Sequence, residues 1–200
     1  MTKSSVQSDE TAALILNAAE RLVAVRGFNG FSYGDAAKEL GLTRAALHYH
    51  FANKADLGEA LITRYGDRFA DALVAIDARE SEAMAKLEAY AKLYLEVLRE
   101  GRMCLCGMLA AENETLPPSM QDAVSRFFIS NQSWLSSVLA RGTELGTVEL
   151  RGSPDETAWL VINTLEGAML LARSLHEVAI LQSSIDQLMA GLRRGTRVDV

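Results

Sequence analysis

The stretch Ser32-Tyr33-Gly34-Asp35-Ala36-Ala37-Lys38-Glu39-Leu40-Gly41-Leu42-Thr43-Arg44-Ala45-Ala46-Leu47-His48-Tyr49-His50-Phe51 reads as two short helices joined by a glycine turn. Ser32 stands where an N-cap belongs and Asp35 follows three residues later, which predicts a helix over 33–40 that stops at Gly41. Thr43 caps a second helix over 44–51. Ala36, Ala37, Leu40, Leu42 and Leu47 hold the pair together, leaving Arg44, Ala45, His48, Tyr49 and His50 to face outward. Two short helices set this way form a helix-turn-helix, whose second helix fits a DNA major groove. A plain helical hairpin would use the same core, so spacing alone leaves both readings open.

Upstream, a supporting helix is expected from about Asp9, with Leu14, Ala18, Leu22 and Val25 on its buried face and Gly27 at its end. Downstream, Asn53 caps a long helix toward Ala78, followed by helices over 81–100, 103–113 and 117–145. Ser153-Pro154-Asp155-Glu156 is a strong start for a helix running to about 177, and a last helix is expected over 184–194, leaving 195–200 as a frayed tail. With three prolines and no alternating strand pattern, the 200-residue chain is all-α. We read a three-helix head over 1–56 and a six-helix domain over 57–200.

Net charge is −6, yet residues 1–56 carry six basic and six acidic groups, so the whole excess lies in the remainder. A neutral head can present a local basic face to DNA while the acidic remainder is repelled from it. No segment reaches the roughly 18 uninterrupted apolar residues of a membrane span, the best candidate over 158–172 being broken by Asn163, Thr164 and Glu166. The polar start, 1–9, has no signal-peptide core, and Cys104 and Cys106 make neither a disulfide framework nor a zinc pattern, so a cytoplasmic location is expected. His48 and His50 lie two apart on a helix and face different ways, which disfavours a metal site. No nucleophile triad or phosphate loop is present, so no enzyme activity and no cofactor are expected.

At these residues the chain resembles the tetracycline-repressor (TetR/AcrR) family of bacterial regulators. The resemblance covers residues 11–58: Ile15-Leu16-Asn17-Ala18-Ala19, Gly27-Phe28, Ser32, Ala36-Ala37, Gly41-Leu42-Thr43 and the run from Ala46 to Leu57. It implies a DNA-binding head, a helical effector-binding and dimerisation domain, and release of a repressor from a palindromic operator when an effector binds. Carried over by position, Ser32 and Tyr33 touch phosphate, Thr43, Arg44 and Ala45 face bases, and Tyr49, His50 and Lys54 position the backbone. Arg44 is the natural guanine reader. The family usually has Tyr where this chain has His48, with the aromatic here one place later, so the phosphate role falls to either His48 or Tyr49.

The sensor half is read from composition and from the same resemblance. Phe69, Tyr90, Tyr94, Met108, Phe127, Phe128 and Trp134 line an apolar cavity or form ordinary core. Asn163 and Glu166, polar groups in the apolar segment 159–176, are further ligand candidates. Such a helix, apolar almost all round, is buried on more than one side, and the resemblance implies a homodimer through the last two helices. The effector itself is expected to be small and partly apolar. Around Cys104 and Cys106 the chain resembles a branch in which a cysteine answers to electrophiles or oxidants, giving the alternative of a thiol-based redox switch with Arg102 acidifying Cys104. Buried, inert thiols are the competing reading.

Overall fold

The computed structural model describes residues 3–193; the expected tail over 195–200 and the expected helix end at 194 lie outside them. Among the described residues nine α-helices and one short 3-10 turn occur, with no strand beyond an isolated bridge between Val148 and Arg193. The helices are α1 (Lys3–Arg26), α2 (Tyr33–Leu40), α3 (Arg44–His50), α4 (Lys54–Arg79), α5 (Ala83–Arg99), α6 (Leu105–Ala111), α7 (Pro118–Glu144), α8 (Pro154–Ser174) and α9 (Ala179–Leu192). The 3-10 turn, Asn113–Thr115, follows α6.

The chain divides into two compact units. One takes in the chain to Arg68 together with Cys104–Phe127; the other takes in Phe69–Met103 and the chain from Phe128 onward. Within the first unit α6 packs on α1.

In the first unit the local signals act as expected. Ser32 and Asp35 form a reciprocal capping box at α2, Gly41 closes it in the left-handed region at φ 65°, and Thr43 caps α3 through the Ala46 amide. The core is built from Ile15, Ala18, Ala19, Leu22, Val23, Phe28, Phe31, Ala36, Ala37, Leu47, Leu57 and Leu61. Two expectations for α1 are corrected. It begins at Lys3, since nothing before Asp9 breaks a helix, and Leu14 and Val25 are 54% and 52% exposed. The helix carries apolar residues on two adjoining stripes, and packing selects the one through Ile15, Ala19 and Val23.

In the second unit α8 and α9 pack on each other and on α5. Ser153 and Glu156 form the predicted capping box of α8, with Pro154 in its first turn. The end of α8 departs from expectation. His176 takes φ 56° and the Glu177 amide donates back to the Ala172 carbonyl at 2.8 Å, so the chain turns there and α9 starts at Ala179 rather than 184. A break near residue 177 is expected from the sequence; what the sequence does not locate is how short it is, because the left-handed turn is made by a histidine rather than a glycine.

Candidate nucleic-acid interface

The helix-turn-helix presents α3 at the surface. Thr43, Arg44, Ala45, His48 and Tyr49 are exposed, Tyr49 at 81%, and His50 is half-buried. Ser32 is exposed at the start of α2, and with Phe31, Tyr33, Gly34, Arg44, His48 and Lys54 it lines a concavity of about 330 Å³.

Tyr33 and Lys54 stand differently from the phosphate contacts expected of them. Tyr33 is 8% exposed and its hydroxyl donates toward the carbonyls of Phe51 at 2.9 Å and Asn53 at 2.5 Å, bridging the end of α3 to the start of α4. Burial, and secondarily the Asp56 charge, push that phenol up to about 12. Lys54 Nζ donates to the Phe28 carbonyl at 2.6 Å and lies 4.4 Å and 4.7 Å from the ring centroids of Phe28 and Phe31. Burial lowers its pKa, opposed by the charges of Glu112 and Asp35. His48 packs on the Tyr33 ring with centroids 4.6 Å apart, and its Nδ1 sits 3.0 Å from the Ala52 carbonyl oxygen. Tyr33 and His48 fix the seat of α3, and Lys54 holds the turn after α1.

The reading of the sequence missed two carboxylates that hold this unit together. Glu20, 5% exposed, accepts from Arg64 at 2.8 Å and Arg68 at 2.6 Å, tying α1 to α4. Glu112, following α6, accepts from the amides of Phe28 at 2.8 Å and Asn29 at 3.0 Å, and Asn29 Nδ2 donates to Thr115 at 2.7 Å. Gly27, at φ 78°, makes room: a Cβ there would collide with the Glu112 carboxylate. An acid among Ala18, Ala19, Leu22 and Val23, with Arg64 and Arg68 four apart on α4, was a usable signal for the first clasp. For the second there was none, because its donors are backbone amides more than 80 residues away.

The expected ligand residues fall into both units. In the second, Phe69, Tyr90, Tyr94 and Trp134 form one aromatic cluster, with Tyr90 stacked on Trp134 at 5.7 Å. The Tyr90 hydroxyl donates to Asn131 at 3.3 Å and lies 3.2 Å from that of Tyr94. Trp134 donates to Asp77 at 2.9 Å, and Asp77 also pairs with Lys86. Burial raises the Asp77 pKa, but the hydrogen bonds from Lys86 and Trp134 and the Lys86 charge outweigh it and bring it below the usual range. Phe128 and Glu166 are half-buried, and Asn163 is exposed rather than enclosed, because it lies on the outer stripe of α8.

In the first unit Phe127 packs on Tyr65 at 5.5 Å and Met108 is half-buried. Cys104 and Cys106 are free thiols, 2% and 0% exposed. Cys104 caps α6 by accepting from the Gly107 amide at 3.4 Å and receives the Tyr65 hydroxyl at 3.6 Å, while Arg102 pairs with Glu100. Among the described residues no cluster of three metal-binding side chains occurs, and no helix is long and apolar enough to cross a membrane.

A capped helix-turn-helix with an exposed second helix has the geometry of helical DNA-binding heads. The chain belongs to the tetR family of bacterial regulatory proteins: that family's model matches residues 15–61, and the tetracyclin repressor-like C-terminal domain matches residues 83–188. The probable HTH-type transcriptional regulator ArpR of Pseudomonas putida is 36% identical over 94 residues, 47% of this chain and 44% of that protein. The HTH-type regulator TtgR from the same species matches to the same extent, so the shared stretch spans less than half the length of either relative. Among solved structures, a TetR-family regulator from Agrobacterium tumefaciens superposes with TM-score 0.91 at 28% identity, covering 94% of this chain and all of that one. A TetR regulator from Legionella pneumophila gives 0.83 at 31%, covering 90% and 96%.

Proposed function

We propose that this protein is a homodimeric, cytoplasmic repressor that binds a palindromic operator and leaves it when a small, partly apolar effector binds its second unit. The observation that carries this reading is the exposed α3 face: Thr43, Arg44, Ala45 and Tyr49 project from a helix held on a capped scaffold. Thr43, Arg44 and Ala45 meet base edges, and Ser32, His48, Tyr49 and His50 meet phosphates, which fix register without carrying sequence information. Tyr33 and Lys54 act from within the head by holding α3 and the turn after α1.

Dimerisation is supported by the outer stripe of α8. Trp159, Leu160, Leu170 and Leu171 are 39–57% exposed, with open space around Gly167 between them. A contiguous apolar face of this kind marks an interaction surface, and two copies meeting there make the same contacts in both directions. The effector reading rests on the aromatic cluster of Phe69, Tyr90, Tyr94 and Trp134 with the polar group of Asn131 beside it. The thiol-switch alternative draws no support from cysteines this deeply buried.

The test is fluorescence anisotropy on the DNA flanking the protein's own gene, over a salt series, with wild type and Leu171→Glu. Tight, competitor-resistant binding that falls with salt is expected, together with a dimer in light scattering that becomes a monomer in Leu171→Glu. Equal, weak binding to that DNA and to unrelated DNA, with operator-sized fragments recovered from no random library, would refute it.

A further inference from the structure

Gly34 is the second residue of α2, inside the first turn of a helix of only eight residues. Glycine contributes less than alanine to a helix interior, and in the first turn that cost is smaller, so what favours glycine here is read from its surroundings. The turn geometry gives no reason for it, since its φ is not in the left-handed region. The reason lies in α3. A Cβ built on Gly34 would stand 2.7 Å from Nη2 of Arg44, 3.1 Å from its Nε and 3.2 Å from its Cζ. The Nε–Nη2 edge of the Arg44 guanidinium therefore lies against the glycine, on the wall of the concavity formed with Ser32 and His48. Among the described residues no ion pair or hydrogen bond of Arg44 occurs, and its nearest approach to Gly34 is this contact.

We propose that Gly34 is a positioning residue for DNA recognition: its missing side chain is the seat that sets the pose from which Arg44 meets its base. This rests on the proposed function, in which Arg44 faces the operator. A guanidinium reads O6 and N7 of guanine only when its fork is aligned with them. A methyl group at position 34 displaces the fork without touching the core, because the atom it meets is the far end of a flexible side chain.

The experiment is a double-mutant cycle on an operator duplex selected by the wild-type dimer from random-sequence DNA, read as dissociation constants on that duplex and on its single-base variants. Gly34→Ala is expected to melt no lower than wild type and yet to bind the operator about tenfold more weakly, with discrimination lost at the same base pair as in Arg44→Ala. In the Arg44→Ala background, Gly34→Ala should have no further effect. A penalty that persists undiminished in that background, or wild-type affinity in Gly34→Ala, overturns the proposal. If Arg44→Ala itself binds like wild type, the proposed reading face fails and the seat fails with it; the single Arg44→Ala measurement tells the two failures apart.

Discussion

Replacing Glu112 by alanine takes away both acceptors that hold the turn after α1. The Phe28 amide, under a side chain only 5% exposed, loses a charged acceptor at 2.8 Å; the Asn29 amide, at 3.0 Å, is exposed and regains a partner from water. A hydrogen bond to a charged group contributes about 1.5–3 kcal/mol when it is sheltered, and the exposed one adds little, so the loss should be about 2–3 kcal/mol. For a chain of 200 residues that is a fall in Tm of roughly 4–12 °C. Glu112→Gln keeps a neutral acceptor oxygen and should cost about 1 kcal/mol. Thermal melts at one fixed protein concentration give the energies, since dimerisation would otherwise shift the midpoint. Amide exchange gives the location: Phe28 and Asn29 should lose protection in the alanine variant while Leu47 keeps it. An alanine variant within about 0.5 kcal/mol of wild type, or unchanged exchange at Phe28, would refute the clasp.

Two further outcomes follow from the same geometry. Glu20→Gln should destabilise by about 2 kcal/mol, less than a fully buried triad because Arg68 is half exposed, and Arg64→Ala should cost less since Arg68 still neutralises the carboxylate; equal effects on a urea midpoint would argue against this. Acid should weaken the caps. Hydrogen bonds from Ser32 hold the Asp35 carboxyl below its usual range, those from Ser153 do the same for Glu156, and those from Ser136 and Gln132 for Asp155. A lowered folded-state pKa means stability that is complete above the unfolded value and is lost as pH falls through the folded one, so denaturation midpoints should be flat from pH 7 to about 5 and decline below about pH 4.5. A midpoint that is constant down to pH 3 would contradict that assignment.

The layout of α2, the turn and the exposed face of α3 was largely legible. Ser32, Asp35, Gly41 and Thr43 act through bonds to amides within four residues, so their order in the chain was enough to fix α2, the turn and the first residues of α3. The exposure of Arg44 and Tyr49 followed from their register. The inward turn of Tyr33 did not, because its hydroxyl partners lie 18 and 20 residues away and a tyrosine at that position serves a phosphate or a carbonyl equally well.

What the sequence by itself determined is the number and order of the helices, the caps of α2, α3, α4 and α8, and the helix-turn-helix, all of which depend on contacts within a turn or two of chain. Only the tertiary structure decided which of the two apolar stripes of α1 is buried, that His176 turns the chain between α8 and α9, that Glu112 grips the amides of Phe28 and Asn29, and that the Arg44 guanidinium lies against Gly34. Each of these is a choice among locally equivalent options, and what separates the options is the removal of particular surfaces and polar groups from water by segments distant in sequence.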